Sequence, residues 1–145
     1  MTSPPAPVPH AAAAELRRWT LEDVGGLRHL RADLREAVAG TTLDTEDGLD
    51  RLTVVATELA TNGLRHGRPP TVIRLLLEPG LLILDVADHD PDGEPQVDLS
   101  RPVGLGGLGL RLVKTFATDF GWHRTAKTKH IWATFDLVRG QAAPS

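Results

Sequence analysis

Two apolar runs in the middle of the chain, TVIRLLL at 71–77 and LLILDVAD at 81–88, flank the tripeptide Glu78-Pro79-Gly80. Short runs of Val, Ile and Leu on either side of Pro-Gly predict a β-hairpin, because Pro presets one turn angle and Gly accepts the other. A hairpin this apolar must be covered on at least one face. The remaining segments read as the cover.

Residues 47–66 place Leu49, Leu52, Val55, Ala56 and Leu59 on one stripe, which predicts an amphipathic helix with Asp44 or Thr45 as its cap and Gly67 as its stop. An earlier helix is predicted behind Thr20-Leu-Glu-Asp23, which has capping-box character, with Val24, Leu27, Leu30, Leu34 and Val38 as its apolar positions. Gly25 and Gly26 weaken its first turn. Residues 108–117 have helical spacing, and 120–125 and 130–138 read as two closing strands, the second with Ile131, Ala133, Phe135 and Leu137 on one face. The order of helices, hairpin, helix and hairpin predicts an α/β (α+β) two-layer sandwich: a mixed, mostly antiparallel sheet with helices on one face.

The chain has 145 residues, 41% hydrophobic and 24% charged, which fits one globular domain and excludes wholesale disorder. Pro and Ala dominate residues 1–14, read as a flexible leader; 15–139 form the domain and 140–145 a flexible tail. The absence of Cys removes disulfides, thiol nucleophiles and cysteine–zinc sites. A net charge of −3 offers no global positive field for nucleic acid. The N-terminus has no basic segment ahead of an apolar one, and the longest apolar run, 80–87, is interrupted by Asp85. The expectation is a cytoplasmic domain with neither nucleic-acid nor membrane partners.

Three places carry groups suited to chemistry. In ELATNGLRHG, residues Glu58, Asn62 and Arg65 project within about 60° of one another on the flank of the helix stripe. A carboxylate can take a proton, an amide oxygen suits Mg²⁺, and a guanidinium suits phosphate. The row is either a pocket wall or a solvated helix edge. Asp88 shares its alternation phase with Leu82, Leu84 and Val86, so it points into the core layer. There it either accepts from an exocyclic amine, such as that of adenine, or bonds the turn backbone. Gly104-Leu-Gly106-Gly107-Leu108-Gly109 opens a helix, so its backbone either approaches phosphates or forms a loop without a ligand. It is not a dinucleotide fingerprint: a Pro-containing loop precedes it, and Lys129 stands where an acidic residue is required. The six scattered histidines have no metal-ligand spacing, the arginines at 28, 31 and 35 read as a solvated face, and the three tryptophans as core or sheet-edge residues.

These three segments, in this order, resemble the GHKL ATPase family, which includes histidine-kinase catalytic domains, DNA gyrase B and MutL. With RRW early and KHIW late, the chain is similar to the bacterial anti-sigma-factor serine kinases of the RsbW and SpoIIAB type over about residues 15–138. The resemblance implies the GHKL (Bergerat) ATP-binding fold, with ATP and Mg²⁺ as cofactors. It makes Glu58 the general base, Asn62 the Mg²⁺ ligand, Arg65 a phosphate contact and Asp88 the adenine reader. Gly93 then closes the first glycine box, and Gly104, Gly106, Gly107, Leu108 and Gly109 lie along the triphosphate. Residues from about 89 to 106 would be the ATP lid, and Lys129 a basic residue before the last strand.

The first box departs from the family pattern, reading Asp88-His-Asp90-Pro-Asp92-Gly93. Its extra carboxylates would repel a triphosphate unless Mg²⁺ or Arg intervenes. The implied function is a serine/threonine protein kinase that sequesters a sigma factor and phosphorylates an anti-anti-sigma, STAS-type partner. Relatives often form homodimers. The alternatives are an ATPase without kinase activity and a non-catalytic, nucleotide-responsive interaction module.

Overall fold

The computed structural model describes residues 9–92 and 109–137. The strands are β1 (Ala14–Leu21), β2 (Thr71–Glu78), β3 (Leu81–Asp88), β4 (Asp119–Arg124) and β5 (Lys129–Asp136). The helices are α1 (Leu30–Ala37), α2 (Glu46–His66) and α3 (Gly109–Phe116). The strands form one sheet in the order β1-β2-β3-β5-β4, and every neighbouring pair is antiparallel. The expected mostly antiparallel sheet is therefore antiparallel throughout among the described residues.

The hairpin predicted around Pro79-Gly80 is the centre of this sheet. Gly80 has φ 73°, the left-handed geometry that a Pro-Gly turn places on its glycine. Alternation then sends Ile73 and Leu75 of β2, and Leu82, Leu84 and Val86 of β3, into the core beside Leu52, Val55, Ala56 and Leu59 of α2. Thr45 caps α2 by accepting from the Gly48 backbone N–H at 2.9 Å, and Gly67 is its C-cap. Arg31 and Arg35 lie on the solvated face expected of them and pair with Glu46 and Asp50 of α2. No described helix is long and apolar enough to cross a membrane.

The N-terminal third corrects the sequence reading. Residues 14–21 are a strand, and the predicted helix divides into a 3-10 turn at Val24–Leu27 and α1. Asp23 caps that turn by accepting from the Gly25 N–H at 2.8 Å, so it does not complete a box with Thr20, which lies in β1. Gly25-Gly26 lowers helix propensity at this point, and pairing with β2 satisfies the backbone of 14–21 instead. The strand starts at the last residue assigned to the leader. Residues 1–8 and 138–145 lie outside the described residues.

The sheet face opposite the helices carries a cluster with no counterpart in the sequence reading. Arg74 and His130 both reach the carboxylate of Asp85, which is 3% exposed; His130 Nδ1 lies 2.9 Å from its Oδ2. His123, opposite His130 in the β4–β5 register, stacks on it at 4.6 Å between ring centroids. Trp132 lies over Gly121, and His10 meets its ring edge-on. Burial pushes the Asp85 carboxyl up, but the His130 hydrogen bond and the charges of His130 and Arg74 outweigh it and hold it below the usual range. Burial and the like charge of His130 lower His123, with Arg74 and His10 adding to the effect and Asp85 opposing it. Both His123 ring nitrogens are shielded and lack a hydrogen-bond partner among the described residues.

A histidine held below its ordinary value of 6.5 binds fewer protons when folded than when unfolded, so stability rises with pH across the interval between the two values. Asp85, also lowered, adds stability above its ordinary 3.8 that is lost as pH falls through its folded-state value. Urea unfolding should therefore show a midpoint that drops as pH is lowered from about 6.5. In His123→Phe that first decline should be shallower, while the loss at lower pH persists.

Candidate functional site

Asp88 ends β3 on the helix-facing side of the sheet, as its alternation phase predicted, and is 4% exposed. Its surroundings are made by α2. Gly63 and Gly67, one turn apart, bring the last turns of the helix down onto the sheet. A Cβ on Gly63 would stand 3.1 Å from the Thr71 side chain, and one on Gly67 would overlap the Asp88 carboxyl. The sequence reading treated Gly67 only as a helix stop. Its second role follows from Gly63 and Gly67 recurring at i, i+4 on the sheet-facing side of the helix.

One Asp88 oxygen, Oδ1, accepts from the backbone N–H of Asp90 at 2.8 Å. The turn-bonding reading of this residue is thus correct for that oxygen. The other, Oδ2, lies 3.6 Å from Nζ of Lys129, which stands directly opposite on β5 and is 3% exposed. On the other side, Thr71 continues the β2–β3 register one step past Val72–Ala87. Its hydroxyl is fully buried without a partner among the described residues. A hydroxyl, a carboxylate and an ammonium thus stand in a row across three strands at one end of the sheet.

Glu58, Asn62 and Arg65 lie on one edge of α2, as the helical spacing required. Arg51 shows which way that edge faces, because its guanidinium lies 5.8 Å from the Phe116 ring of α3. Seven and eleven residues on, Glu58 and Asn62 fall within about 20° of Arg51 around the helix. The row therefore faces the α3 side of α2, away from the α1 side where Asp50 and Glu46 pair with arginines. Glu58 and Asn62 are half-buried and Arg65 is exposed. Burial raises the Glu58 carboxyl above its ordinary value, against the opposing charge of Arg65.

Gly109 is the first residue of α3, where the glycine string was expected to open a helix. Gly93, Gly104, Gly106, Gly107 and Leu108, with most of the segment read as a lid, lie outside the described residues. His89 and Asp90, which begin that segment, are described. The His89 backbone N–H donates to Arg68 O at 3.0 Å, and its ring Nδ1 lies 2.9 Å from Pro70 O. The chain after β3 is thereby tied to the chain after α2. No described group of three His, Asp or Glu could hold a metal ion.

The donor set suits a nucleotide. A carboxylate with one oxygen fixed and the other facing an ammonium can meet a nucleobase edge, and an acid–amide–guanidinium row can meet phosphates and a divalent cation. The model of the histidine kinase-like ATPase domain matches residues 10–135. Among solved structures, the RsbU and RsbW domains of Rv1364c from Mycobacterium tuberculosis match with a TM-score of 0.58 at 17% identity, over 83% of this chain and 32% of that one. The chain therefore spans about a third of that neighbour's length. Acinetobacter baumannii histidine kinase AdeS matches with a TM-score of 0.51 at 15% identity, over 84% of this chain and 68% of that one. The histidine kinase domain of the Erythrobacter litoralis EL346 blue-light activated kinase matches at 0.50 and 16%, over 82% and 62%. These likenesses show the fold. No curated protein sequence matches.

Two outcomes follow from the packing. Glu58 is raised, so it binds a proton more readily when folded, and its contribution to stability falls as pH rises from its ordinary 4.5 through the folded-state value. Replacement by a neutral isostere, Glu58→Gln, should leave the urea midpoint at pH 7 equal to or above that of the parent. Gly67→Ala should lower the unfolding free energy from the same urea titration by about 1–3 kcal/mol, because the added methyl group meets a carboxyl that the sheet holds in place.

Proposed function

Because the chain belongs to the histidine kinase-like ATPase domain family, we propose that it binds ATP at the Asp88 end of the sheet and acts as a serine/threonine kinase on an anti-anti-sigma, STAS-type partner, sequestering a sigma factor when that partner is phosphorylated. The observation that carries this reading is the buried Asp88 carboxylate, with Oδ1 fixed by Asp90 and Oδ2 facing the Lys129 ammonium from beyond hydrogen-bond length among the described residues. A structural neighbour that includes an RsbW domain supports the choice of regulator type.

In this reading Asp88 accepts from the adenine amine. The triphosphate runs along the α3-facing edge of α2 toward Arg65, Asn62 and Glu58. Glu58 takes the proton of a partner serine hydroxyl as the serine oxygen–phosphorus bond forms and the bond to the leaving ADP oxygen breaks. Its raised pKa suits it to that task, since a general base works best when its affinity for protons approaches the working pH. Asn62 is the side chain that would hold Mg²⁺, and the ion, when bound, neutralises charge on the phosphates. Arg65 is exposed, and its guanidinium, whose charge also acts on Glu58, would meet phosphate oxygens.

Incubation of the protein with Mg-ATP and its STAS-type partner should give phosphoserine or phosphothreonine on the partner. Glu58→Gln should reduce that rate by about 10²–10⁴-fold with little change in ATP affinity. Asp88→Asn should instead weaken ATP binding, read by calorimetric titration. ATP binding with no phosphorylated partner in the parent protein would assign it to nucleotide-responsive interaction modules.

A further inference from the structure

The Asp88–Lys129 pair has a feature that a structural ion pair does not require. Its charged heads are almost entirely removed from water, at 5% and 3% side-chain exposure, yet Oδ2 and Nζ stand 3.6 Å apart. That separation is beyond hydrogen-bond length. Elsewhere in the same sheet the buried carboxylate of Asp85 is met at hydrogen-bond distance from both sides, by Arg74 and His130. Among the described residues, Asp88 is met at hydrogen-bond distance only at Oδ1, by the Asp90 backbone. Its Oδ2 and the Lys129 ammonium form an acceptor and a donor side by side, held in register by directly opposed positions on β3 and β5. Both point to the helix-facing side of the sheet, in phase with Val86 and Ile131 of the core.

An acceptor beside a donor is the complement of an edge that carries an amine next to a ring nitrogen with a lone pair. The 6-amino group and N1 of adenine form such an edge. We infer that Lys129 is a base-reading residue, donating to N1 of the purine while Asp88 accepts from the 6-amino group. This rests on the adenine-nucleotide reading proposed above and adds a second point of recognition to it. Lys129 gives the base contact a direct cationic donor, and the shielded position strengthens that contact because water does not compete for it.

Replacement of purine N1 by C–H separates this role from a structural one. Calorimetric titration of the full chain with ADP and with 1-deazaadenosine diphosphate should show the analogue binding about ten- to a hundredfold more weakly, the range for a hydrogen bond to a charged group. In Lys129→Met, which keeps the length and apolar stem of the side chain, ADP should weaken by a similar factor and the difference between the two nucleotides should vanish. Lys129→Arg, which retains donors, should preserve part of the difference. Equal affinity of the parent protein for ADP and the analogue would overturn the assignment, even if Lys129→Met weakens both. A penalty that persists unchanged in Lys129→Met would overturn it equally. Failure of ADP itself to bind the parent would instead overturn the nucleotide reading on which the inference stands.

Discussion

The last turns of α2 rest on the end of the central strand, and the contact requires Gly67, where a side chain would overlap the Asp88 carboxyl, with Gly63 packed closely on Thr71 one turn earlier. Strand pairing sets a hydroxyl, a carboxylate and an ammonium from three adjacent strands in a row at this end of the sheet, and the helix covers the first two. Removing Asp88 from water is unfavourable unless hydrogen bonds and opposite charge compensate. The Asp90 backbone and Lys129 supply both, without saturating the second carboxylate oxygen. The same helix presents Glu58, Asn62 and Arg65 along its α3-facing edge. A single close approach therefore sets the distance between the Asp88 end of the sheet and the acid–amide–guanidinium row.

Asp85 and Asp88 show how one strand serves two purposes. Three residues apart, they face opposite sides of the sheet. Asp85 is enclosed by a guanidinium and an imidazole at hydrogen-bond distance, so its low pKa contributes to stability and leaves little capacity for a ligand. Among the described residues, Asp88 has one such bond and one more distant charge. The difference in satisfaction, rather than in burial, separates a structural carboxylate from one suited to recognition.

Much of the site could be read before any coordinates because its signals are local. The Glu58–Asn62–Arg65 edge follows from 3.6 residues per turn, the inward direction of Asp88 from strand alternation, and the hairpin from Pro-Gly between apolar runs. The strand at 14–21, most of which the sequence reading left without an element, has weak local signals: its alternation is broken by adjacent arginines, and its strand state depends on hydrogen bonds to β2, fifty or more residues away. The apolar spacing from Val24 to Val38 is real, but two glycines divide it into a 3-10 turn and a short helix. The histidines looked scattered because their spacing along the chain conceals the β4–β5 register that stacks His123 on His130.

The amino-acid sequence by itself determined the helix α2 with its polar edge, the central hairpin, the inward carboxylate at position 88 and the helix opening at the glycine string. Each depends on interactions within a few residues, so periodicity and turn chemistry suffice to specify it. Only the tertiary structure decided that Lys129 faces Asp88 across a register, that Gly67 lies on the Asp88 carboxyl, and that Asp85 is claimed by Arg74 and His130. Those relations join residues 11 to 45 positions apart. Strand pairing and helix seating create them, and neither is written in any local stretch of the chain.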